Sequence, residues 1–443
     1  MKILQIIHGY PPEYNAGSEV YTQSVCNELA KQHEVVLFSR EENDYALDFN
    51  FRETRTDSGI RHIRVNMARG KDGYNHALLN TRFGEILDTL KPDVAHIGHL
   101  NHLSTGIVDE LNIRNTPILF TLHDFWLMCP RGQFLQRNFD GQTLYALCNR
   151  QNDLLCSKSC YSMYFSGIEN EIDSALYYMH RMEPPYAHIQ DSNHWASWIG
   201  QRMKTVQEIC NKIDLFHAPS KYLRDRFING FGIPSEKIIY LDYGFPTQYL
   251  QPVKPIQKDR YTFGYIGTHI PAKGINLLIE AFGMLEGNVA LKIFGRTNGQ
   301  STNALRRLAE NSKNPIEFAG EYINQNLATT VFNNIDCIVV PSIWAENSPL
   351  VIHEAQACRI PVITADYGGM AEYVHHMVNG LLFKHRDMLS LCERMQYAAN
   401  HPGKMQELGS RGYLYHEKGE VPCIEDHCAT LVAIYQKLID DAK

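Results

Sequence analysis

The sequence predicts an α/β protein of two doubly wound, Rossmann-like domains, and three observations carry that expectation. At 443 residues the chain is longer than one hydrophobic core usually covers. Short, near-continuous apolar runs alternate with segments of helical period, the pattern of a parallel sheet covered on both faces. The alternation pauses and then restarts after Tyr243-Gly244-Phe245-Pro246, as it would at a second domain.

Taken in order, residues 3–7 read as a buried strand. A turn segment reaches Gly17, after which Tyr21, Val25 and Leu29 recur at helical spacing. Residues 34–38, 93–97, 117–122 and 214–217 read as the further strands of the first domain. Residues 129–210 interrupt the rhythm: rich in Tyr, Cys, Asn and Trp and without a clear strand, they read as an insertion. Residues 251–258 are polar and Pro-containing, a linker. Strands are then expected over 261–266, 289–294, 336–340 and 361–364, with Leu277, Leu278, Ala281 and Phe282 on an intervening helix. The expected division is residues 1–248, completed by a C-terminal helix within 422–443, and residues 249–421. Ligands of doubly wound sheets bind beyond the carboxyl ends of the strands. With two such domains, the cleft between them is the default site.

Composition narrows the function. With 44% hydrophobic and 21% charged residues the chain is of the ordinary globular kind, and a net charge of −7 argues against nucleic-acid binding through overall charge. Basic residues cluster at Arg61, Arg64, Arg69 and Lys71 and at Lys221, Arg224 and Arg226, as solvated surface or as an anion patch. The opening apolar run stops at His8-Gly9, too short for a secretory leader, and no apolar run is long enough to span a bilayer, so a cytoplasmic protein is expected. Several of the eleven cysteines lie in apolar runs, which fits reduced thiols. Cys129, Cys148, Cys156 and Cys160 fall in the insertion. Four thiolates could close a tetrahedral structural zinc site there; free thiols are the alternative.

The most informative stretch runs from Pro341 through Ser342-Ile343-Trp344-Ala345-Glu346-Asn347-Ser348-Pro349-Leu350 to Glu354. A strand ends at Pro341-Ser342, and Ser348-Pro349 reads as the opening of a helix, with Ser as the cap and Pro at the first position. Free N–H groups and the positive end of the helix dipole make a seat for a diphosphate. Glu346 precedes that seat. Glu354, inside the helix, can accept hydrogen bonds from ribose hydroxyls. Taken singly, a loop acid and a solvent-facing helix residue are the plainer readings. The apolar flanks and the following Gly368-Gly369 turn favour a site.

The spacing Glu346-x7-Glu354, with the following Ala-x-Ala-Cys-x-x-Pro-Val-Ile and Gly-Gly-x-x-Glu, resembles the donor-site signature of retaining glycosyltransferase family 4. Gly17, Thr121-Leu122-His123-Asp124, Ala218-Pro219-Ser220, Lys273-Gly274 and Asn379-Gly380 extend the likeness along the chain. The resemblance implies a GT-B fold, two Rossmann-like domains facing each other across a cleft. It further implies an enzyme that moves a sugar from a nucleotide sugar (a UDP- or GDP-sugar) to a glycan, lipid-linked or other hydroxyl acceptor, in surface polysaccharide synthesis and near the inner membrane face.

On the same resemblance, Glu354 holds the donor ribose and Glu346 the transferred sugar. The backbone from Asn347 to Leu350, with N–H groups on Asn347, Ser348 and Leu350 and none on Pro349, meets the sugar and diphosphate, and Lys273 binds phosphate, where a cation stabilises the departing nucleoside diphosphate. His123 contacts the reacting sugar, a core histidine being the alternative, and Gly17 approaches the phosphate. Many members carry an Arg where Thr268 stands here; Arg296 is a substitute. Asp124 orients His123 or the acceptor, and His96, His99 and His102 line the acceptor side. Neither an enzymatic nucleophile nor a metal is implied, so the carboxylate pair of glycoside hydrolases does not transfer. A GT-B sugar-nucleotide epimerase and a non-catalytic sugar-nucleotide binder are the alternatives. A dinucleotide oxidoreductase is disfavoured because no Gly-x-Gly-x-x-Gly follows an early strand.

Overall fold

Aliphatic residues occupy the strand positions, and a computed structural model shows how those strands assemble. It describes residues 1–67, 74–137, 145–161, 192–253 and 259–443. Arg69, Lys71, most of the linker and much of the insertion therefore lie outside the described residues. The chain divides into two compact units. The first holds residues 1–219, 223–241 and 428–443, and the second residues 220–222 and 242–427.

The first unit is built on an eight-stranded sheet. In chain order its strands are β1 (Lys2–Ile7), β2 (Glu34–Glu41), β3 (Phe51–Arg55), β4 (Arg61–Asn66), β5 (Val94–Ile97), β6 (Ile118–Thr121), β9 (Leu215–Ala218) and β10 (Ile238–Tyr240). Their spatial order is β10-β9-β6-β5-β1-β2-β4-β3. All neighbours run parallel except β3, which pairs antiparallel with β4 at the edge. The direction of winding reverses between β1 and β5. Ile3, Ile6 and Ile7 are fully buried, as are Val94, Ile97, Ile118 and Leu119 on the neighbouring strands. The C-terminal Ile424–Asp441 helix returns to this unit from residue 428 onward. Its Tyr435 is buried, with the hydroxyl 2.6 Å from Nδ1 of His96.

The insertion does contain strands, contrary to the sequence expectation. β7 (Leu135–Arg137) and β8 (Tyr145–Leu147) form a small antiparallel ribbon, and the Ser192–Lys212 helix leads back to β9. Three-residue strands are too short for a periodicity to register. β4 was not expected either. It carries arginines at its outward positions, and Arg61 and Arg64 pair with Glu53 and Glu13, each at 2.9 Å. In the second cluster Arg224 pairs with Asp225 and Lys221 lies over the Tyr415 ring. Among the described residues these clusters are largely neutralised surface.

The second unit has a six-stranded, wholly parallel sheet: β11 (Tyr261–Ile266), β12 (Val289–Phe294), β13 (Ile316–Gly320), β14 (Cys337–Val340), β15 (Val362–Ala365) and β16 (Gly380–Phe383). The order β13-β12-β11-β14-β15-β16 reverses between β11 and β14. A doubly wound sheet opens a crevice at the carboxyl ends of the two strands flanking such a reversal. No described helix is long and apolar enough to cross a membrane.

Candidate functional site

In the second unit the reversal point gathers most of the residues that the sequence singled out. After β11 the chain makes a short 3-10 turn, Pro271–Lys273, and then Gly274 adopts a left-handed φ of +69°. A side chain at Gly274 would place its Cβ 2.0 Å from the Pro341 carbonyl oxygen, so only glycine lets this turn lie against the end of β14. The contact is completed by Ile343 N–H donating to the Ala272 carbonyl at 3.0 Å. Lys273 is thereby carried to Glu346. Its Nζ donates to Glu346 Oε1 at 2.6 Å, and the same oxygen accepts from Ser342 Oγ at 2.6 Å and Trp344 Nε1 at 3.0 Å. Glu346 is buried and Lys273 partly exposed.

The loop that follows is clamped from behind. Gly369 N–H donates to the Glu346 carbonyl at 2.7 Å, and a Cβ on Gly369 would stand 1.3 Å from the Asn347 carbonyl oxygen. Asn347 and Ser348 turn their side chains inward, Asn347 Oδ1 accepting from Ser220 Oγ at 2.9 Å and Ser348 Oγ donating to Asp242 at 3.4 Å. Ser348 is therefore not the helix cap. The helix is Leu350–Ala357, Pro349 holds the N-cap position with ψ 115°, and no side chain caps it. The hydroxyl expected to cap the helix is spent on the buried Asp242 carboxylate. The N–H groups of the first turn keep no side-chain partner among the described residues.

Glu354 sits on that helix, partly buried. Among the described residues no donor lies within hydrogen-bond distance of it. Burial pushes its carboxyl up to about 7, against the charge of His353, which acts in the opposite direction. Its charge in turn raises the Tyr322 phenol, and Glu346 and Tyr322 both raise the Tyr265 phenol, after the larger effect of burial on each. The two glutamates and two tyrosines therefore share one neighbourhood. Thr268 and Arg296 follow β11 and β12, and His269, next to Thr268, donates its N–H to the Arg296 carbonyl at 3.0 Å. Thr268 is partly buried and the Arg296 side chain points to solvent.

In the first unit, His8, His99, His123 and Asp124 follow β1, β5 and β6 around the other reversal point. His8 Nε2 is 3.2 Å from Glu19 Oε1 and its ring lies edge-on to His99 at 4.5 Å. Burial opposes ionisation of Glu19, but the His8 charge and hydrogen bond, with that of Ser18, outweigh it and hold the carboxyl at about 2. His99 Nδ1 accepts from Asn101 N–H at 2.9 Å, so Nε2 carries the proton that goes to Asp124 Oδ2 at 3.3 Å. Asp124 also accepts from Trp126 N–H at 2.7 Å, so its carboxylate orients His99 rather than His123. His123 lies edge-on to Tyr21, and burial, then His99, His217 and His96, lower it well below the usual histidine range, leaving a neutral imidazole. His96 belongs to the interior, bonded to Tyr435 and to Thr121 at 2.7 Å. His102 adopts a left-handed φ of 57° in the turn after β5, and Gly17 is exposed at the start of the Gly17–Leu29 helix.

The eleven cysteines are free thiols. Cys148 and Cys156 are pushed up to about 12, mainly by burial, with Cys129 and Cys160 adding to it, so the four thiols are neighbours. Among the described residues, however, no group of three or more His, Cys, Asp or Glu side chains is placed to hold a metal ion. The four thiols are not drawn together into a tetrahedral site.

Two family models match the chain, Glycosyltransferase Family 4 over residues 16–157 and Glycosyl transferases group 1 over residues 248–415. A GDP-mannose-dependent monoacylated alpha-(1-6)-phosphatidylinositol monomannoside mannosyltransferase of Corynebacterium glutamicum is 26% identical over 243 residues, 50% of this chain and 62% of that one. A D-inositol 3-phosphate glycosyltransferase of Mycobacterium leprae is 33% identical over 133 residues, 29% of this chain and 30% of that one. The chain thus spans less than two thirds of the length of these curated relatives. Sucrose-phosphate synthase from Thermosynechococcus elongatus has a similar structure, with a TM-score of 0.67 at 16% identity over 99% of each chain. Anabaena HepE in complex with UDP-glucose follows at 0.61 and 15%, over 100% of this chain and 99% of that one. Identities this low show the fold alone, and the fold is GT-B. With both sheets, the glutamate motif and the two family models in agreement, the chain belongs to the group 1 glycosyltransferases of family 4.

Proposed function

We propose that this protein is a retaining glycosyltransferase. It moves a sugar from a nucleoside-diphosphate sugar to a hydroxyl of a glycan or lipid-linked acceptor, as a cytoplasmic enzyme meeting that acceptor at the inner membrane face. The observation that carries the reading is Glu354. A partly buried carboxylate with no donor from the protein is costly, and such a group is retained where a ligand supplies the donors. The ribose hydroxyls of a nucleotide fit that need.

The other residues take roles that their geometry supports. The three donors of Glu346 all sit on Oε1, which leaves Oε2 to a hydroxyl of the transferred sugar. A carboxylate already paired to Lys273 is a poor nucleophile, consistent with a binding role. Lys273 supplies positive charge where the diphosphate departs, and the N–H groups of Ser348 and Leu350, on either side of Pro349, add to it. His123, a neutral imidazole at physiological pH, is assigned to the transferred sugar on the family likeness, and residues 1–248 with the C-terminal helix to the acceptor. Residues 249–421 take the donor. Gly17 and Arg296 stay in the proposal as donor contacts on the family likeness alone.

One relative is named for GDP-mannose and one structural neighbour was solved with UDP-glucose, so the base is the first thing to determine. A capsular polysaccharide biosynthesis glycosyltransferase of Staphylococcus aureus, 24% identical over 157 residues, supports a surface-polysaccharide acceptor. Thermal shift against a panel of UDP-, GDP- and ADP-sugars tests the reading, because a ligand of the folded state raises the midpoint by mass action. Stabilisation by one base, with sugar transfer from that donor, is the expected result; no shift with any nucleotide refutes it.

A further inference from the structure

One buried carboxylate in the second unit is unaccounted for by the reaction. Asp242 is 6% exposed and accepts five hydrogen bonds. Oδ1 takes the Tyr243 N–H at 2.8 Å, the Tyr373 hydroxyl at 3.3 Å and the Ser348 hydroxyl at 3.4 Å. Oδ2 takes the Tyr413 hydroxyl at 2.7 Å and His353 Nε2 at 3.1 Å. A buried ion pair is a poor device for stability alone, since apolar residues of the same volume often do as well or better. A five-donor carboxylate assembled from separate segments points to a positional task.

Two of those donors bracket the start of the Leu350–Ala357 helix. Ser348 lies just before it, in the loop that follows Glu346, and His353 lies one turn inside, next to Glu354. His353 is fully buried, stacked on Phe245 at 4.9 Å and 19°, with the Tyr373 ring at 4.2 Å. Its Nδ1 faces the Pro349 carbonyl at 3.4 Å and its Nε2 faces Asp242 at 3.1 Å, so both ring nitrogens meet oxygen acceptors. Asp242 remains ionised despite burial, chiefly through that partner. His353 then acts on its neighbour, favouring the ionised form of Glu354, whose other titratable neighbours are the Tyr322 phenol and the Cys358 thiol.

We propose that Asp242, through Ser348 and His353, is a positioning residue for nucleotide binding: it fixes the loop at residues 346–349 and holds the His353 ring beside Glu354. The inference rests on the reading of Glu354 and that loop as the donor seat. It makes the Asp242–His353 pair part of what sets donor affinity, although neither side chain is argued to touch the ligand.

The test is the affinity of UDP, GDP and ADP for the full chain, by calorimetry from pH 6 to pH 8.5, in the wild type and in Asp242→Asn. The expected result is binding at least tenfold weaker at pH 7, with the loss of affinity on acidification beginning at a higher pH. Once the His353 proton loses its partner, Glu354 is harder to ionise. A role confined to packing would lower affinity by the same factor at every pH, and that outcome, or an affinity within twofold of wild type at pH 7, overturns the proposal. Should Asp242→Asn fail to fold, Tyr413→Phe keeps the ring and removes the 2.7 Å bond. A threefold to tenfold loss with the same upward movement in pH supports the proposal, and unchanged binding overturns it. A wild-type protein that binds no nucleoside diphosphate refutes the donor-site reading itself, an outcome distinct from equal binding by wild type and variant.

Discussion

Replacing Glu354 by Gln should make the unliganded protein more stable and the nucleotide complex weaker, and the first effect should depend on pH. Burial raises the carboxyl from the usual 4.5 to about 7. At 1.36 kcal/mol per pH unit, that gap corresponds to a penalty of about 3 kcal/mol for the ionised form. Below pH 4.5 the group is protonated in both the folded and the unfolded chain, and no penalty applies. Between 4.5 and 7 the unfolded chain releases the proton while the folded one keeps it, so stability falls as pH rises. Above 7 the full penalty is present. Glu354→Gln removes the titration, so the variant should match wild type near pH 4.5 and exceed it by up to about 3 kcal/mol at pH 8. Urea unfolding at the two pH values measures this, compared at each pH so that other titrating groups cancel. The relevant transition is the one that a bound nucleotide shifts. Nucleoside diphosphate should bind the variant about ten- to a hundredfold more weakly, the worth of a hydrogen bond to a charged group. Equal stability differences at both pH values would refute the assignment of an unpaired buried carboxylate.

Gly369→Ala should disrupt the donor loop, because its Cβ would stand 1.3 Å from the Asn347 carbonyl oxygen. A loss of about 1–3 kcal/mol with weakened nucleotide binding is expected, and wild-type affinity in a folded variant would separate the loop from the site. Lys273→Met should lower turnover about a hundredfold or more by removing the cation at the departing diphosphate, while a kcat within threefold of wild type would refute that role. His123→Ala should lower kcat but leave nucleoside-diphosphate affinity intact, and equal losses in both would identify a core histidine instead.

The sequence made the second unit more legible than the first. Its central strands are near-continuous aliphatic runs, and the residues that gather at β11 and β14 all follow strand ends, where a doubly wound sheet places its ligands. β4, next to the edge strand β3, was missed because arginines interrupt its apolar residues, and the edge strand β16 because it is short and follows a turn. Contacts between distant residues left no local signal. Lys273 meets Glu346 across 73 positions and Asp242 meets His353 across 111. The cap misassignment has the same origin, since Ser348 fits the local rule for an N-cap, and the buried carboxylate that claims its hydroxyl lies 106 residues away. In the first unit His123 and Asp124 were found by likeness. The Glu19–His8 pair was not, since an acid two residues after a loop glycine resembles any exposed helix start.

The inward-turned side chains of Asn347 and Ser348 bear on attempts to redirect the enzyme. A mutant library aimed at the choice of donor would naturally start from the residues flanking Glu346. Those side chains hold the loop from behind, so most substitutions there would yield loosened seats rather than new preferences. Thr268, Arg296 and Tyr322 stand at the ends of β11, β12 and β13 without such duties in the loop, and all three keep some exposure. Variation concentrated on those three positions leaves the anchoring scaffold intact, and is where altered selectivity can be sought at little cost in folding.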